Sequence, residues 1–138
     1  MLPLDSNDNH LIALSKEYIK QHYRKNRHHV ACTLATADHI YFSLHLDTSG
    51  YDICAEPIAV SNALANGDEK FRTIVAVFWN GNPLTEPSII SPCGDCRQML
   101  VEYSPRLNVI IEDHDKIKKI SIESLLPYPY INPKRQIS

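Results

Sequence analysis

The spacing of apolar residues divides the first quarter of the chain into a helix followed by a strand. Leu11, Leu14 and Ile19 recur at helical intervals, and charged residues fall between them, which predicts an amphipathic helix over about 9–24. Asp8 or Asn9 is the predicted cap of this helix, because short polar side chains favour that position. The next apolar run, 30–36, predicts a strand.

The residues that follow alternate strictly between apolar and polar. Segment 40–46 therefore predicts a second strand, joined to the first by a short turn at 37–39 to make a hairpin. One face of this strand carries the apolar side chains. The opposite face carries Tyr41, Ser43 and His45.

The remainder of the chain alternates helices with strands. Helices are predicted over 54–66, 94–103 and 122–126, with Gly67 ending the first of them. Strands are predicted over 72–79, 107–111 and, more weakly, 117–120, and the nearly unbroken apolar run at 72–79 is typical of a strand buried on both faces. Such alternation indicates an α/β fold built around one sheet, and residues 1–138 are expected to form a single domain.

Composition narrows the function. The chain has 138 residues, 43% hydrophobic, with a formal net charge of -2, which suits a globular domain and lacks the basic surface of a nucleic-acid-binding protein. No apolar run approaches bilayer length, and the N-terminal residues do not resemble a signal peptide, so we expect no membrane partner and a cytoplasmic location. In that compartment thiols stay reduced and are able to bind metal.

Candidate chemistry lies in two short motifs. Cys54-Ala55-Glu56 and Cys93-Gly94-Asp95-Cys96 both stand where a predicted helix begins. The positive end of a helix favours thiolate over thiol, and cysteines three positions apart lie on the same helical face. Structural zinc sites usually have four protein ligands, whereas catalytic sites keep one position for water. With three thiols and no convincing fourth ligand, the sequence predicts a catalytic zinc site.

Glu56 lies two positions after the first cysteine, where its carboxylate is able to reach a water at the metal and exchange a proton with it. Each motif alone has a simpler interpretation. A Cys-x-x-Cys pair is often redox-active or half of a structural zinc site, and a first-turn glutamate often only stabilises its helix. The two motifs together, separated by a predicted strand, favour catalysis.

These residues resemble the cytidine deaminase superfamily, more narrowly the small tetrameric cytidine deaminases and the blasticidin S deaminases. The resemblance rests on Cys54-Ala55-Glu56, on the segment from Ser91 to Gln98 and on Leu125-Leu126-Pro127, and it covers about 30–130. It implies a three-layer α/β/α fold with a mixed five-stranded sheet.

The resemblance also implies roles for individual residues. Zinc would be held by Cys54, Cys93 and Cys96, one ion per subunit, with Glu56 moving protons. The backbone around Ala55 and Ser91 would contact the amidine edge of a small aminopyrimidine substrate. A homotetramer is implied, in which an aromatic residue after Leu-Leu-Pro reaches a neighbouring subunit; Tyr130 holds that position.

Two positions depart from the family pattern. Nucleoside-specific members hold the ribose with Asn-x-Glu, and counting back from Cys54 places Ser43 and His45 there. Pro57 stands where many three-cysteine members have a compensating arginine.

These departures leave several functional hypotheses. The first is hydrolytic deamination of cytidine or deoxycytidine. The second is deamination of a blasticidin S-type nucleoside antibiotic or another amino-heterocycle. A non-catalytic zinc-stabilised scaffold and a nucleic-acid-editing deaminase are further hypotheses, and the slightly acidic charge counts against the latter.

Overall fold

The computed structural model describes residues 1–135 of the protein. Across these residues the helices are α1 (Ser6–His22), α2 (Ala55–Ala65) and α3 (Gly94–Tyr103). The strands are β1 (Val30–Thr36), β2 (Ile40–Leu44), β3 (Leu46–Asp47), β4 (Asp52–Ile53), β5 (Phe71–Phe78), β6 (Ser88–Ile90), β7 (Asn108–Asp113) and β8 (Lys116–Ser121). Two short 3-10 helices, Ile122–Leu125 and Pro133–Arg135, follow β8.

The main sheet is mixed, as the resemblance implied. Its strand order is β2-β1-β5-β7-β8, in which β5 and β7 are parallel and the other neighbours are antiparallel. The short strand β6 adds to this five-stranded path by pairing with the last part of β5. Strands β3 and β4 form a separate two-stranded sheet.

Helices cover both faces of the main sheet and make the three layers. Helix α1 packs on one face, around Leu11 and Ile19, while α2 and α3 pack on the other. Strand β5 contributes Ile74 to the α2 side and Val75 to the α1 side, so the prediction of a strand buried on both faces is confirmed. No helix among residues 1–135 is long and apolar enough to span a bilayer.

The predicted cap of α1 was wrong. The helix begins three residues earlier, with Asp5 as its cap, because Asp5 and Asp8 form a reciprocal capping box. Asp5 Oδ1 accepts from the Asp8 backbone N–H at 2.9 Å, and Asp8 Oδ2 accepts from the Asp5 N–H at 2.9 Å. Asp8 therefore lies inside the first turn, where its negative charge also favours the helix dipole.

The second strand of the hairpin is shorter than predicted. It ends at Leu44, because the chain then leaves β1 to pair β3 with β4. Its two faces are nevertheless those predicted, since Tyr41 packs towards α2 and Leu44 towards α1. Strand β6 was not predicted, because one polar and two apolar positions after a loop with two prolines give little periodicity. Strand β4 and the 3-10 helix Pro133–Arg135 were not predicted either, and the bounds of the remaining elements differ from prediction by at most two residues.

Candidate metal centre

The two cysteine motifs meet at the N-termini of two helices. Cys54 is the cap residue of α2, Cys93 is the cap residue of α3, and Cys96 lies in the first turn of α3. Their sulfur atoms all lie within 4.8 Å of one another, with Cys54 Sγ 3.7 Å from Cys93 Sγ. Within residues 1–135, this is the group of His, Cys, Asp and Glu side chains suited to hold a metal ion.

Strand positions bring the motifs together. Ser43 on β2 donates its hydroxyl to the Ala55 carbonyl at 2.6 Å, which fastens the start of α2 to the sheet. Strand β6 pairs with β5 through Ile90 and Ala76, and the chain runs from there through Ser91 into Cys93. Each cysteine motif is therefore held by a strand of the same sheet.

The protein environment alone does not favour three thiolates. Burial raises the pKa of Cys54 and, more strongly, that of Cys96. Burial also acts to raise the pKa of Cys93, but backbone N–H groups of Cys96 and Asp95 donate towards its sulfur and hold its pKa below the usual value. Because the pKa of only one of the three thiols is lowered, all three become thiolates together only when a cation binds between them. Zinc suits such an all-sulfur donor set. The donor set therefore fits zinc.

Glu56 is buried beside the sulfur atoms. It lies in the first turn of α2 with only 5% of its surface exposed, and burial raises its pKa. Its negative charge acts to raise the pKa of both Cys54 and Cys96. It has no hydrogen bond to another side chain within residues 1–135. A buried carboxyl group of this kind is available to exchange a proton with a ligand.

His45 lies on the same face of the hairpin as Ser43 and is 7% exposed. Its Nε2 accepts from the His29 backbone N–H at 3.0 Å, and this fixes the neutral tautomer with the proton on Nδ1. Its carbonyl oxygen interacts with His28 Nδ1 at 3.0 Å, and its ring centre is 4.0 Å from that of His29. Nδ1 of His45 has no hydrogen-bond partner among residues 1–135.

The tautomer of His45 predicts a pH effect on stability. Burial, followed by the nearby His29 and His28 rings, lowers the pKa of His45, while Asp47 and Asp52 oppose that change. The folded state therefore resists protonation more than the unfolded state does. We expect the free energy of unfolding to be highest above about pH 6.5 and to fall as the pH drops through the folded-state pKa.

Chemical denaturation between pH 7.5 and 5 measures this effect. Replacing His45 with Asn should flatten the pH dependence of the unfolding free energy over that range, whereas replacing the exposed His10 with Asn should leave that dependence unchanged. Equal slopes for His45→Asn and the parent chain would contradict the assignment.

Two residues of the second motif have structural roles that sequence analysis did not assign. Arg97 donates from Nε to the Pro92 carbonyl at 2.8 Å and from a terminal nitrogen to the Leu125 carbonyl at 3.0 Å. This links the cysteine motif to the Leu-Leu-Pro segment and explains why the two occur together. The position of Arg97 directly after Cys96 was the signal in the sequence that pointed to this residue.

Gln98 fixes the chain at Tyr130. Its Nε2 donates to the Tyr130 carbonyl at 2.8 Å, and the Tyr130 N–H donates to Gln98 Oε1 at 3.3 Å. The backbone of Tyr130 is thus held on α3, while its side chain is 65% exposed. Of the predicted site residues, the three cysteines come together, and Ala55 and Glu56 directly follow Cys54 at the start of α2. Ser43 contacts Ala55, and Ser91 is an exposed residue near Cys93.

Comparisons with known proteins agree with this site. The family model for the cytidine and deoxycytidylate deaminase zinc-binding region matches residues 5–112. The blasticidin-S deaminase of Bacillus cereus is 35% identical over 132 residues, which cover 92% of this chain and 94% of that protein. The cytidine deaminase of Mycoplasma genitalium is 31% identical over 101 residues, covering 70% and 74% respectively.

Solved structures show the same fold. The cytidine deaminase of Bacillus anthracis matches with a TM-score of 0.77 at 23% identity, covering 94% of this chain and 93% of that one. The cytidine deaminase of Burkholderia pseudomallei matches with a TM-score of 0.68 at 25% identity, covering 88% and 98%.

An α/β/α sandwich with three converging thiols and a buried carboxyl group defines a zinc-dependent hydrolase. With the family model matching most of its length, the chain belongs to the cytidine and deoxycytidylate deaminase family. The predictions of this family, of a zinc cofactor and of a hydrolytic deaminase are confirmed.

Proposed function

We propose that this protein deaminates a free aminopyrimidine nucleoside, converting the amino-substituted C4 of a cytosine ring to a carbonyl. Cytidine and deoxycytidine would give uridine and deoxyuridine. Water supplies the new oxygen, the C4–N bond breaks, and the amine leaves as ammonia. The observation that carries this proposal is the buried carboxyl group of Glu56 beside the three-thiol centre.

The residues divide the chemistry between them. Cys54, Cys93 and Cys96 would hold zinc, which would lower the pKa of a water towards about 7 and so make that water a better nucleophile. Glu56 accepts the water proton and returns protons to ring N3 and to the departing amine. Its raised pKa suits this task, because a group that both takes and gives protons works best near the operating pH. Backbone groups around Ala55 and Ser91 hold the amidine edge.

The sugar side of the site supports a second candidate substrate. The Ser43 hydroxyl is 4% exposed and is already donated to the Ala55 carbonyl, so we propose that Ser43 positions the substrate-binding backbone. His45 offers a fixed Nδ1–H donor, where a ribose-binding carboxylate would accept from hydroxyl groups. A donor at this place is able to bond a ribose hydroxyl oxygen but does not replace a carboxylate that accepts hydroxyl protons. The loss of that acceptor favours a nucleoside whose sugar is not held through its hydroxyl groups, such as blasticidin S.

A substrate panel tests the proposal. Zinc-loaded protein is incubated with cytidine, deoxycytidine, cytosine and blasticidin S, and ammonia release is followed. We expect turnover of at least one nucleoside, and kcat/KM for blasticidin S at least about tenfold above that for cytidine. A higher kcat/KM for cytidine would contradict the role given to His45, and release from none of the four would contradict the aminopyrimidine nucleoside as substrate.

Two other hypotheses have less support. A zinc-stabilised scaffold has no need of a carboxyl group buried beside thiols, since burial of this carboxyl group, which has its own backbone N–H as a partner, still raises its pKa and costs stability. A nucleic-acid-editing enzyme needs a basic surface to bind phosphates, whereas the chain has a net charge of -2. We propose that the protein binds no nucleic acid, works in the cytoplasm and folds as one domain over 1–138.

We also propose that the protein is a homotetramer in which Tyr130 serves the site of a neighbouring subunit. The support is the Gln98 contact, which holds the backbone at Tyr130 while its ring is left 65% exposed. An aromatic side chain that is mostly exposed on a backbone held in this way is suited to contact a second copy.

Mixing two inactive variants tests this arrangement. Glu56→Gln lacks the proton carrier and Tyr130→Ala lacks the ring, so in mixed tetramers a site with Glu56 from one chain and Tyr130 from the other would be restored. We expect ammonia release to rise at least about tenfold after unfolding and refolding the two variants together. If mixed tetramers form but release ammonia no faster than the separate variants, the proposal that Tyr130 contributes to the site of a neighbouring subunit would be contradicted.

A further inference from the structure

A cavity lies at the end of the sheet opposite the metal centre. Its volume is about 840 Å³, and it is open to solvent. Its walls are the start of α1, the turn between β1 and β2, and the first residues of β5 and β7. Its lining includes neither Glu56 nor any of the three cysteines. The contact of Ser43 with Ala55 places the metal centre at the other end of the hairpin.

The carboxylates of this cavity already have partners. Asp8 Oδ2 accepts from Lys119 Nζ at 2.7 Å, and Asp5 and Asp8 complete the capping box of α1. Asp38 forms an ion pair with Lys70, at 4.0 Å. The acidic groups are therefore compensated by cations and backbone N–H groups of the same chain, and they leave little negative charge free to act on a ligand.

Two of the basic groups that line the cavity are uncommitted. Arg72 and Arg106 make no hydrogen bond or ion pair with any of residues 1–135, and both are exposed. Because β5 and β7 run parallel, with Thr73 opposite Asn108, these two arginines enter from the same edge of the sheet. Two free guanidinium groups on one wall are suited to a phosphate group, which accepts paired hydrogen bonds from the planar donor fork of arginine.

The same cavity has an apolar wall. Leu11 is buried at its floor, Ile40 is 38% exposed, and Phe71 is half-buried. Pockets for small organic ligands typically have volumes of about 300–1,000 Å³ and combine apolar lining with a few polar groups. The volume and the lining therefore fit a ring compound that carries an anionic group.

We propose that this cavity binds a nucleotide-sized phosphate monoester, with the phosphate at Arg72 and Arg106 and the ring against Ile40 and Phe71. A phosphate monoester carries a charge of about −1.5 to −2 at pH 7, which matches two guanidinium groups. This site is separate from the deaminase centre, so a ligand would occupy both independently.

Isothermal titration tests the proposal on the zinc-loaded full chain. The probes are inosine monophosphate, inosine and inorganic phosphate, because hypoxanthine has no exocyclic amine and so is no deamination substrate. We expect inosine monophosphate to bind at least about tenfold more tightly than either of the others. The variant Arg72→Gln/Arg106→Gln should weaken that binding at least tenfold. The expected fold of this variant is unchanged, since the side chains replaced have no hydrogen bond or ion pair with residues 1–135 to lose.

The matched control is Lys25→Gln/Lys134→Gln, which removes the same charge from exposed residues outside the cavity. It should leave the affinity within about twofold. Absence of binding by inosine monophosphate, or equal binding by the arginine variant and the parent, would overturn the site. Equal affinity for inorganic phosphate would overturn the role of the apolar wall. Because binding is measured directly, failure here is distinguishable from failure of the deaminase proposal.

Discussion

Replacing Glu56 with Gln should reduce ammonia release by roughly 10²–10⁴-fold while the zinc content stays at one ion per chain. The amide keeps the size and shape of the side chain but neither accepts a proton nor returns one. Because Glu56 is not among the sulfur ligands, the metal should remain bound. The measurement is kcat/KM for the best substrate of the panel, together with zinc by atomic absorption on the same samples.

Burial decides the size of this effect. Glu56 is 5% exposed, so bulk water has little access to replace the lost proton carrier. The expected loss corresponds to about 2.7–5.5 kcal/mol of transition-state stabilisation. The variant should also fold at least as well as the parent, because a buried carboxyl group with a raised pKa is replaced by a neutral amide.

The exposed Glu69 provides the control, since its replacement by Gln makes the same chemical change outside the site. Glu69→Gln should retain full activity and full zinc content. Retention of most activity by Glu56→Gln would show that another group moves the protons. Loss of zinc from Glu56→Gln would instead show that the carboxylate is a metal ligand, and the division of roles argued above would be wrong.

The metal site was predictable because its geometry is local. A cysteine in the first turn of a helix lies beside the N-terminus of that helix, and a spacing of three residues places Cys93 and Cys96 on the same helical face. The sequence did not predict that the N-termini of α2 and α3 meet, because their meeting depends on the order of strands in the sheet. The apolar run of β5 predicts that this strand is buried on both faces, but it does not predict which strands pair with it.

Other features could not be found from one sequence because they join distant positions. The hydrogen bond from the His29 backbone fixes the tautomer of His45 across 16 positions, and Gln98 reaches Tyr130 across 32. The cavity at the opposite end brings Arg72 and Arg106 together only because β5 and β7 are parallel neighbours. The error at the cap of α1 has a local cause, since Asp5 and Asp8 both suit a cap and only their reciprocal bonds decide between them.

Removing one sulfur ligand should have the other large effect. We expect Cys96→Ala to bind less than about a tenth of the zinc of the parent chain and to lose measurable ammonia release. With one of three thiols gone, two ligands remain, which is too few to hold zinc in a stable tetrahedral site. Loss of the metal also removes its stabilisation of the folded state, about 4 kcal/mol where zinc is present at 1,000 times its Kd.

Cys32→Ala is the matched control, because it deletes another buried sulfur. Cys96 is 3% exposed and Cys32 is 0% exposed, so both substitutions leave a cavity of similar size in the protein interior. Cys32 lies on β1 and is not part of the sulfur cluster. Its replacement should lower the thermal midpoint but leave one zinc per chain, so the difference between the two variants isolates the metal from packing. Similar zinc contents in both variants would contradict Cys96 as a ligand.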